Sequence, residues 1–300
     1  MKQVKDILKL INKVKKTRLV VAAAHDEYVI DAVNSALELG FIYPILIGNK
    51  SKILSIIREK KFDEKLYEII DIFDDLLIAE SSVKLIREKK ADILMKGLID
   101  TRVLLKAVVN SETGIKDAKM LSHVALFSYP ILNRVLFATD CAMNIAPTVD
   151  QKILILENVL KLTKVLGYKK PLVGIVSAVE KVNPKMVSTV DAEAIKNEYL
   201  NNNIKGCVVD GPFAIDNLVS MDSVKHKGID SLVAGKADIL LMPTIEAGNV
   251  FYKTSVFLAN AQTAGIILGA KAPIILTSRA DTAVSKLYSI ALAAVLANEA

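Results

Sequence analysis

Short apolar runs alternate along the chain with longer segments whose apolar residues recur at helical spacing. This alternation is typical of β-α-β units. Many runs are continuous and rich in β-branched residues, which indicates strands buried on both faces and therefore largely parallel sheets. The pattern predicts strands at 19–24, 44–48, 68–72, 92–95, 123–127, 134–139, 172–178, 206–209, 238–242, 265–268 and 273–277. It predicts helices at 27–39, 50–60, 75–89, 150–166, 190–201, 247–261 and 281–297.

The length of the chain favours two α/β lobes. A chain of 300 residues is long for one compact core, since domains usually contain about 100–200 residues. The sequence Lys-Ala-Asp-Ile-Leu at 90–94 recurs at 236–240, which is consistent with a similar strand in each lobe. No linker rich in Gly, Ser or Pro is visible, so we expect ordinary short connections between the lobes.

The apolar content raises the question of a membrane span. The chain is 52% hydrophobic, with a mean hydropathy of +0.37. Its most apolar stretch, 254–278, is interrupted by polar residues, glycines and a proline, whereas a spanning helix needs about 20 consecutive apolar residues. We therefore predict a buried helix followed by a buried strand. Residues 1–16 have an amphipathic, lysine-rich helical pattern rather than that of a signal peptide, so we expect a soluble, cytoplasmic protein with no membrane partner.

Charge and composition favour small anionic ligands. The formal net charge is +6, but aromatic residues make up only 5% of the chain and tryptophan is absent, so stacking surfaces for nucleic acid are scarce. Cys141, Cys207 and the three histidines are scattered along the sequence, which predicts reduced thiols and no metal site. The common dinucleotide, P-loop and α/β-hydrolase fingerprints are also absent.

Polar residues that follow buried strands are candidate site residues, because ligands of α/β proteins bind at the carboxyl edges of the sheets. The last predicted strand leads directly into Thr277-Ser278-Arg279-Ala280-Asp281 and a long apolar helix. Helix N-termini favour anions, and arginine recognises phosphate through two hydrogen bonds. The alternative is that Thr277, Ser278 or Asp281 caps the helix. Earlier strands are followed by Lys96, Thr101 and Arg102, by Asp140 and Asn144, and by Asp210.

Seven colinear segments carry a more specific signal. They are DILMKGL at 92–98, MLSHVA at 120–125, NPKM at 183–186, IKGCVVDGP at 204–212, ADILLMP at 237–243, EAGNV at 246–250 and APIILTSRAD at 272–281. Together they resemble the phosphate acetyl/butyryltransferase family, most closely its butyryl-transferring members. The likeness extends over nearly the whole chain.

The resemblance implies two lobes with largely parallel sheets around a cleft, a fold like that of the isocitrate/isopropylmalate dehydrogenases. The first lobe would contain 1–139 and 277–300, and 140–276 would be an inserted second lobe. The implied reaction moves a short acyl group, butyryl by resemblance, between coenzyme A and inorganic phosphate. Ser278 and Arg279 would lie at the cleft.

The resemblance leaves the general base open. In acetyl-transferring relatives an Asp seven positions after the Ser is thought to act as base toward the coenzyme A thiol, and that position here is Ser285. Asp281 is the nearest acid to the Ser-Arg pair and is our candidate replacement. A thiol of pKa about 8.5 is roughly 3% thiolate at pH 7, so a base gains at most about 2 kcal/mol. Aligning two substrates can contribute roughly 7–11 kcal/mol, so the missing acid does not exclude the reaction.

The expected mechanism is a direct transfer without an acyl-enzyme. Arg279, together with Lys96 or Arg102, would hold the phosphate, and Ser278 Oγ would hydrogen-bond the carbonyl oxygen or the sulfur. For Arg102 the alternative is a solvated arginine on a helix face. The remaining predicted substrate-binding residues are Thr101, Asp140, Asn144, Asp210, Glu246 and Asn249.

Two other functions stay open at this point. One is a metal- and NAD-dependent dehydrogenase of the related fold, which would need a cluster of acids. The other is a degenerate relative that acts as a subunit or regulator. Within the transferase interpretation, acetyl or branched acyl groups are alternatives to butyryl. We expect coenzyme A as co-substrate, no cofactor and no metal, and a homo-oligomer.

Overall fold

The computed structural model describes residues 1–276 and 281–299. Its chain contacts define two compact units. The terminal unit contains Lys5–Leu121 and Thr263–Ala300, and the middle unit contains Met1–Val4 and Ser122–Gln262. Both junctions come earlier in the chain than the predicted ones, after 139 and after 276.

Strands and helices alternate through both units. The strands are β1 Thr17–Ala22, β2 Ile42–Gly48, β3 Glu68–Asp71, β4 Ile93–Lys96, β5 Ser122–Ser128, β6 Leu136–Thr139, β7 Leu172–Val176, β8 Val208–Phe213, β9 Ile239–Leu241, β10 Gln262–Leu268 and β11 Ile274–Ile275. The helices are α1 Glu27–Glu38, α2 Lys50–Glu59, α3 Asp75–Arg87, α4 Thr101–Val108, α5 Val149–Val165, α6 Val187–Leu200, α7 Ile215–Val219, α8 Met221–Lys227, α9 Ile245–Phe257 and α10 Ala283–Ala297.

The sheet of the terminal unit has the strand order β3-β2-β1-β4-β11-β10. β1 pairs in parallel with β2 and β4, β2 with β3, and β4 with β11. β10 runs antiparallel to β11, with Ile267 opposite Ile274. Because this pairing keeps β10 with β11, the second junction falls at the start of β10.

The sheet of the middle unit has the order β5-β6-β9-β7-β8. β9 pairs in parallel with β6 and β7, and β7 pairs in parallel with β8. β5 and β6 form an antiparallel pair, which keeps both strands in this unit and moves the first junction before β5. The predicted α/β class with largely parallel sheets is confirmed, and the likeness to isocitrate-type dehydrogenases stays a prediction.

Several local differences from the prediction have physical causes. β8 runs through Gly211 and Pro212, although the sequence pattern ends at 209. It lies at the edge of its sheet, where the missing N–H of a proline is tolerated. The predicted N-terminal helix is two short 3₁₀ segments, Val4–Lys9 and Ile11–Lys13. The short helices α4, α7 and α8 were not predicted, because five to eight residues carry too little periodicity.

The apolar stretch 254–278 contains the end of α9 and then β10 and β11. The prediction of a helix followed by one strand is therefore wrong, because the stretch contains only the last four residues of α9 and two strands follow them. Within the described ranges, no helix has the length and apolar character needed to cross a membrane.

Candidate active site

The chain changes direction across the terminal sheet at β1. From β1 it proceeds to β2 and β3 on one side, and then it crosses to β4 on the other side. Ligands of open α/β sheets bind outside the carboxyl ends of the strands at such a switch point. Residues 23–26, which follow β1, and residues 96–98, at the carboxyl end of β4, therefore form a candidate site that we call the β1–β4 edge.

Backbone contacts define the floor of the β1–β4 edge. The Gly97 N–H donates to the Ala22 carbonyl and the Leu98 N–H donates to the Ala23 carbonyl, each at 2.8 Å. A Cβ at position 97 would lie 2.1 Å from the Ala23 carbonyl oxygen. Glycine is therefore required for the two segments to pack together.

Lys96, one of the predicted phosphate-binding residues, lies in this floor. It is the last residue of β4 and is 7% exposed, and its Nζ donates to the Gly97 carbonyl at 3.0 Å. Thr101 and Arg102 are instead exposed on the first turn of α4. The α4 N-cap is Asp100, whose carboxylate accepts from the Arg102 N–H at 2.7 Å. Lys96 is thus a buried cation and Arg102 an exposed one, and phosphate binding by either stays a prediction.

His25 also lies at the β1–β4 edge, although it was not among the predicted site residues. Its Nδ1 is buried and has no hydrogen-bond partner among the described residues. A Cβ at Gly48 would lie 3.1 Å from this nitrogen. Burial lowers the pKa of His25 and the positive charge of Lys52 lowers it further, although Asp75 and Asp26 act in the opposite direction. A histidine directly after a buried strand was the available signal.

The entry to α10 differs from the prediction. The helix begins at Ala283, and its N-cap is Thr282, whose Oγ1 accepts from the Ser285 N–H at 3.1 Å. Capping by Asp281 is therefore wrong, although Asp281 is 5% exposed and lies immediately before the N-cap. The predicted catalytic residues Ser278 and Arg279 lie outside the described residues.

A buried lysine follows this entry. Lys286 is 2% exposed, and its Nζ donates to the Asp281 carbonyl at 2.6 Å. It also lies 6.0 Å from the centre of the Tyr28 ring, at the start of α1. Burial lowers the pKa of Lys286, although the negative charges of Asp281 and Asp26 oppose this shift. α10 is largely apolar, and a helix of this kind is expected to be buried together with its few polar side chains, so the sequence contained a signal for Lys286.

In the middle unit, Asp140 organises the segment that follows β6. It is 3% exposed, and its carboxylate accepts hydrogen bonds from the backbone N–H groups of His123 at 3.0 Å and of Ala142 and Met143 at 2.8 Å. It also accepts from Asn144 Nδ2 at 2.5 Å. A carboxylate has about four acceptor sites. The structure therefore brings Asp140 and Asn144 together as partners in one turn, and direct substrate binding by either stays a prediction.

Glu246 and Asn249 lie near this turn on the first turns of α9. A Cβ at Gly248 would lie 2.3 Å from the Asp140 carbonyl oxygen, so glycine lets the helix approach the turn. Glu246 and Asn249 are exposed. The hydrogen bond from Thr244 lowers the pKa of Glu246.

Asp210, another predicted site residue, lies within β8. Its carboxylate pairs with Lys196 Nζ at 2.6 Å and accepts from Ser231 Oγ at 2.5 Å and from the Gly211 N–H at 2.9 Å. These partners belong to the structure of the middle unit itself. Substrate binding by Asp210 stays a prediction.

A cavity of about 540 Å³ lies at the carboxyl side of the middle sheet. The N-termini of α5, α6 and α9 meet there, through Thr148, Ser188 and Thr244. Its wall includes the ion pair between Lys152 Nζ and Asp191 at 2.6 Å. The volume is within the range of small-molecule sites, and converging helix N-termini favour an anionic group.

The two cysteines are poor nucleophiles. Cys141 and Cys207 are 1% and 2% exposed. Burial raises the pKa of the Cys141 thiol well above its usual range, and it raises that of Cys207 to about 11. Because the thiolate is the reactive form, an acyl-cysteine intermediate is disfavoured. Across the described part of the chain, no cluster of three or more His, Cys, Asp or Glu side chains could hold a metal ion.

Comparison with known proteins identifies the family. Residues 74–294 match the family described as Phosphate acetyl/butaryl transferase. The chain belongs to this family. The matched segment contains the β1–β4 edge residue Lys96, the Asp140 turn and Lys286.

Similarity to individual family members extends over whole chains. A phosphate butyryltransferase from Clostridium beijerinckii is 42% identical over 292 residues, which are 97% of this chain and 97% of that protein. A phosphate acetyltransferase from Thermotoga maritima is 43% identical and covers 94% of this chain and 96% of its own length. The crystal structure of a branched-chain phosphotransacylase from Enterococcus faecalis V583 superposes with a TM-score of 0.84 at 33% identity, covering 94% of this chain and 99% of that one.

Proposed function

We propose that this protein transfers a butyryl group between coenzyme A and inorganic phosphate by direct attack, without a covalent acyl-enzyme. The observation that carries the proposal is the similarity to a phosphate butyryltransferase over 97% of both chains. The Thr277-Ser278-Arg279 sequence, which carried the family resemblance, is intact.

The chemistry of the terminal unit supports this proposal. Two lysines, Lys96 and Lys286, are buried around the carboxyl ends of β4 and β11 and the start of α10. Buried cations interact strongly with an anion because screening by water is weak there. Segment 277–280 follows β11, and β11 runs parallel to β4 so that Ile275 lies opposite Met95. Phosphate or acyl phosphate at this edge would meet positive charge.

In the proposed reaction an oxygen of phosphate attacks the thioester carbonyl carbon. The carbon–sulfur bond then breaks, coenzyme A leaves as the thiolate, and acyl phosphate forms. Arg279 would hold the phosphate through its planar fork, and Ser278 Oγ would donate to the oxygen that gains negative charge. In the reverse direction Asp281 would accept the thiol proton before sulfur attacks the acyl phosphate.

The cavity of the middle unit would receive an anionic part of coenzyme A. Three helix N-termini converge there, and each favours negative charge near its first turn. Lys152 pairs with Asp191 and Asp150 also lines the cavity, so the attraction for an anion would come from the helix N-termini.

A coupled assay tests the proposed function. One reaction contains purified protein, butyryl-CoA, a chromogenic thiol reagent and phosphate. A second reaction contains the same components without phosphate. Release of thiol that requires phosphate supports transfer. Equal release without phosphate would indicate hydrolysis and would contradict the proposal. Reduction of NAD in the presence of Mg²⁺ and a hydroxy acid would instead support the dehydrogenase alternative.

Acetyl or branched acyl transfer is the second candidate function. The 43% sequence identity to a phosphate acetyltransferase is within a few percentage points of the identity to butyryl-transferring relatives. The superposed structure at 33% identity is that of a branched-chain phosphotransacylase. Values of kcat/KM for acetyl-, butyryl-, isobutyryl- and hexanoyl-CoA decide between these substrates, and a maximum at acetyl-CoA would overturn the butyryl assignment.

A further inference from the structure

A second cavity of the middle unit lies at the other edge of its sheet. Its volume is about 740 Å³, and it is formed by the end of α5, the loop that leads to β7 and the loop that leads to β8. Because both loops precede their strands, this cavity lies at the amino edge of the sheet. The Asp140 turn and the 540 Å³ cavity lie at the carboxyl edge, so the proposed transfer reaction makes no use of the 740 Å³ cavity.

Four exposed lysines line this cavity from three segments of the chain. They are Lys161 and Lys164 on α5, Lys169 in the loop after it, and Lys205 in the loop before β8. Within the described ranges none of the four makes an ion pair. Lys196 and Lys227 in the same unit are instead paired with carboxylates, at 2.6 and 2.7 Å. The cavity therefore collects positive charge that the described part of the chain does not balance.

Stabilisation of α5 does not account for this charge. Lys164 lies in the last turn of the helix, where a cation offsets the helix dipole, but Lys169 and Lys205 lie in loops. Glu157 also lines the cavity and lies four residues before Lys161, a spacing that allows an ion pair. Neither of these two side chains has an ion-pair partner among the described residues. Because like charges repel one another, the cluster is better explained by an anion that binds between the lysines.

The wall between the lysines is apolar and aromatic. It contains Leu160, Tyr168 and Pro171. The Tyr168 ring is held by an edge-to-face contact with Phe137, with 5.3 Å between the ring centres and 89° between the planes. Burial raises the pKa of Tyr168 to about 12, and the negative charge of Asp238 contributes to this shift, so the hydroxyl stays protonated at neutral pH. A fixed aromatic ring beside several cations suits a ligand that has both a planar base and phosphate groups.

We propose that the 740 Å³ cavity binds an adenosine nucleotide with two or more phosphate groups, its phosphates among the four lysines and its base against the Tyr168 ring. The volume is within the range of small-molecule sites. A single aromatic ring provides no row of stacking surfaces for a longer nucleic acid. ATP and coenzyme A both contain a phosphorylated adenosine and are the two sources to be distinguished. The proposal goes beyond the proposed function and does not depend on it.

Isothermal titration calorimetry with ATP, coenzyme A and tripolyphosphate tests this site. Lys161→Gln/Lys205→Gln removes two charges from the cavity. Lys185→Gln/Lys225→Gln is the matched control, because both are exposed lysines of the same unit. In the first variant we expect Kd for ATP, for coenzyme A or for both to rise at least about tenfold. In the control we expect a change below about twofold, because distant surface charges are screened.

The separate ligands identify the source and the chemistry. A loss of affinity for only one of ATP and coenzyme A assigns the site to that ligand. A component of the coenzyme A isotherm that both variants keep belongs to the transfer site. Tripolyphosphate should bind more weakly than ATP because it has no base, and equal binding would overturn the assignment to a nucleotide. A single-stranded oligonucleotide that binds more tightly than ATP would assign the surface to nucleic acid instead.

Lysine acetylation read by mass spectrometry tests the site in the unmodified chain. ATP or coenzyme A should protect the four cavity lysines and leave Lys225 as reactive as without ligand. Equal reactivity with and without ligand, or an unchanged Kd in Lys161→Gln/Lys205→Gln, would overturn the proposal. Thiol release that requires phosphate should be the same in both double variants. A wild type that binds ATP in this cavity but lacks transfer activity would refute the proposed function alone.

Discussion

The Asp140 carboxylate accepts a 3.0 Å hydrogen bond from the His123 backbone N–H. This bond joins the residue after β6 to the second residue of β5. The Thr139 hydroxyl makes a second link between the same strands, since it donates to the His123 carbonyl at 2.8 Å. The Asp140 turn is therefore fixed to the hairpin pair that precedes it, and it positions Asn144 and the start of α9.

Asp140→Asn should destabilise the protein by about 1–3 kcal/mol. Asparagine replaces one acceptor oxygen by an NH₂ group, which would face N–H donors that now bind the carboxylate. The matched control is Asp230→Asn, an exposed acid in the same unit, which should change stability by less than about 0.5 kcal/mol. Urea unfolding of both variants measures the difference, and equal midpoints would contradict a structural role for Asp140.

Gly97→Ala should destabilise the terminal unit by at least about 3 kcal/mol, the upper end of overpacking effects. The added Cβ would meet the Ala23 carbonyl oxygen, and neither backbone segment can move without breaking its strand ladder. Gly40→Ala is the control, because Gly40 has a φ of +81° but no atom within 4 Å of a Cβ. Gly40→Ala should lower the stability only by the strain of a left-handed backbone conformation at alanine, roughly 1–2 kcal/mol. Thermal unfolding distinguishes the two costs, and a smaller loss at 97 than at 40 would refute the steric argument.

Arg279→Lys should lower kcat/KM for phosphate by roughly 10- to 150-fold, which corresponds to about 1.5–3 kcal/mol for a charge-assisted hydrogen bond. Lysine keeps the positive charge and loses the planar pair of donors. The urea midpoint should stay that of wild type. Unchanged kinetics in both directions would remove Arg279 from the site.

Asp281→Asn tests the proposed base. If Asp281 accepts the thiol proton, the variant should convert butyryl phosphate and coenzyme A slowly at pH 7. Its rate should approach that of wild type near pH about 8.5, where the thiol ionises without help. Thr282→Ala is the control for the helix entry, since it removes the N-cap and should cost about 1 kcal/mol of stability. A variant as fast as wild type at pH 7 would show that the thiol needs no dedicated base.

Neither cysteine should react with a thiol reagent in the native protein at pH 8. Both side chains are buried and both thiol pKa values are raised, that of Cys207 to about 11, so the thiolate fraction at pH 8 is small. Unfolding in urea should expose both thiols to the reagent. Fast native labelling that abolishes transfer would point to a catalytic cysteine after all.

The sequence predicted the strands well because continuous β-branched runs have few alternatives to burial in a sheet. It placed Asp140 and Lys96 correctly at strand ends. It could not show that backbone N–H groups already occupy acceptor sites of the Asp140 carboxylate. Asp281 and Thr282 are both good N-cap residues, so propensity alone could not choose Thr282. Lys286 was not among the candidates because they were chosen at the ends of strands, and Lys286 lies within α10.

The position of β11 between β4 and β10 affects how the protein is made. During synthesis β4 leaves the ribosome long before its neighbour β11, because residues 122–262 of the middle unit are encoded between them. At about 5–20 residues per second the delay is on the order of ten seconds. Throughout that time the nascent chain presents an open, apolar strand edge, which is a template for wrong pairing. The terminal unit therefore completes its sheet only after residues 122–262 have been synthesised, and slow elongation within the middle unit would lengthen the time for which this strand edge stays open.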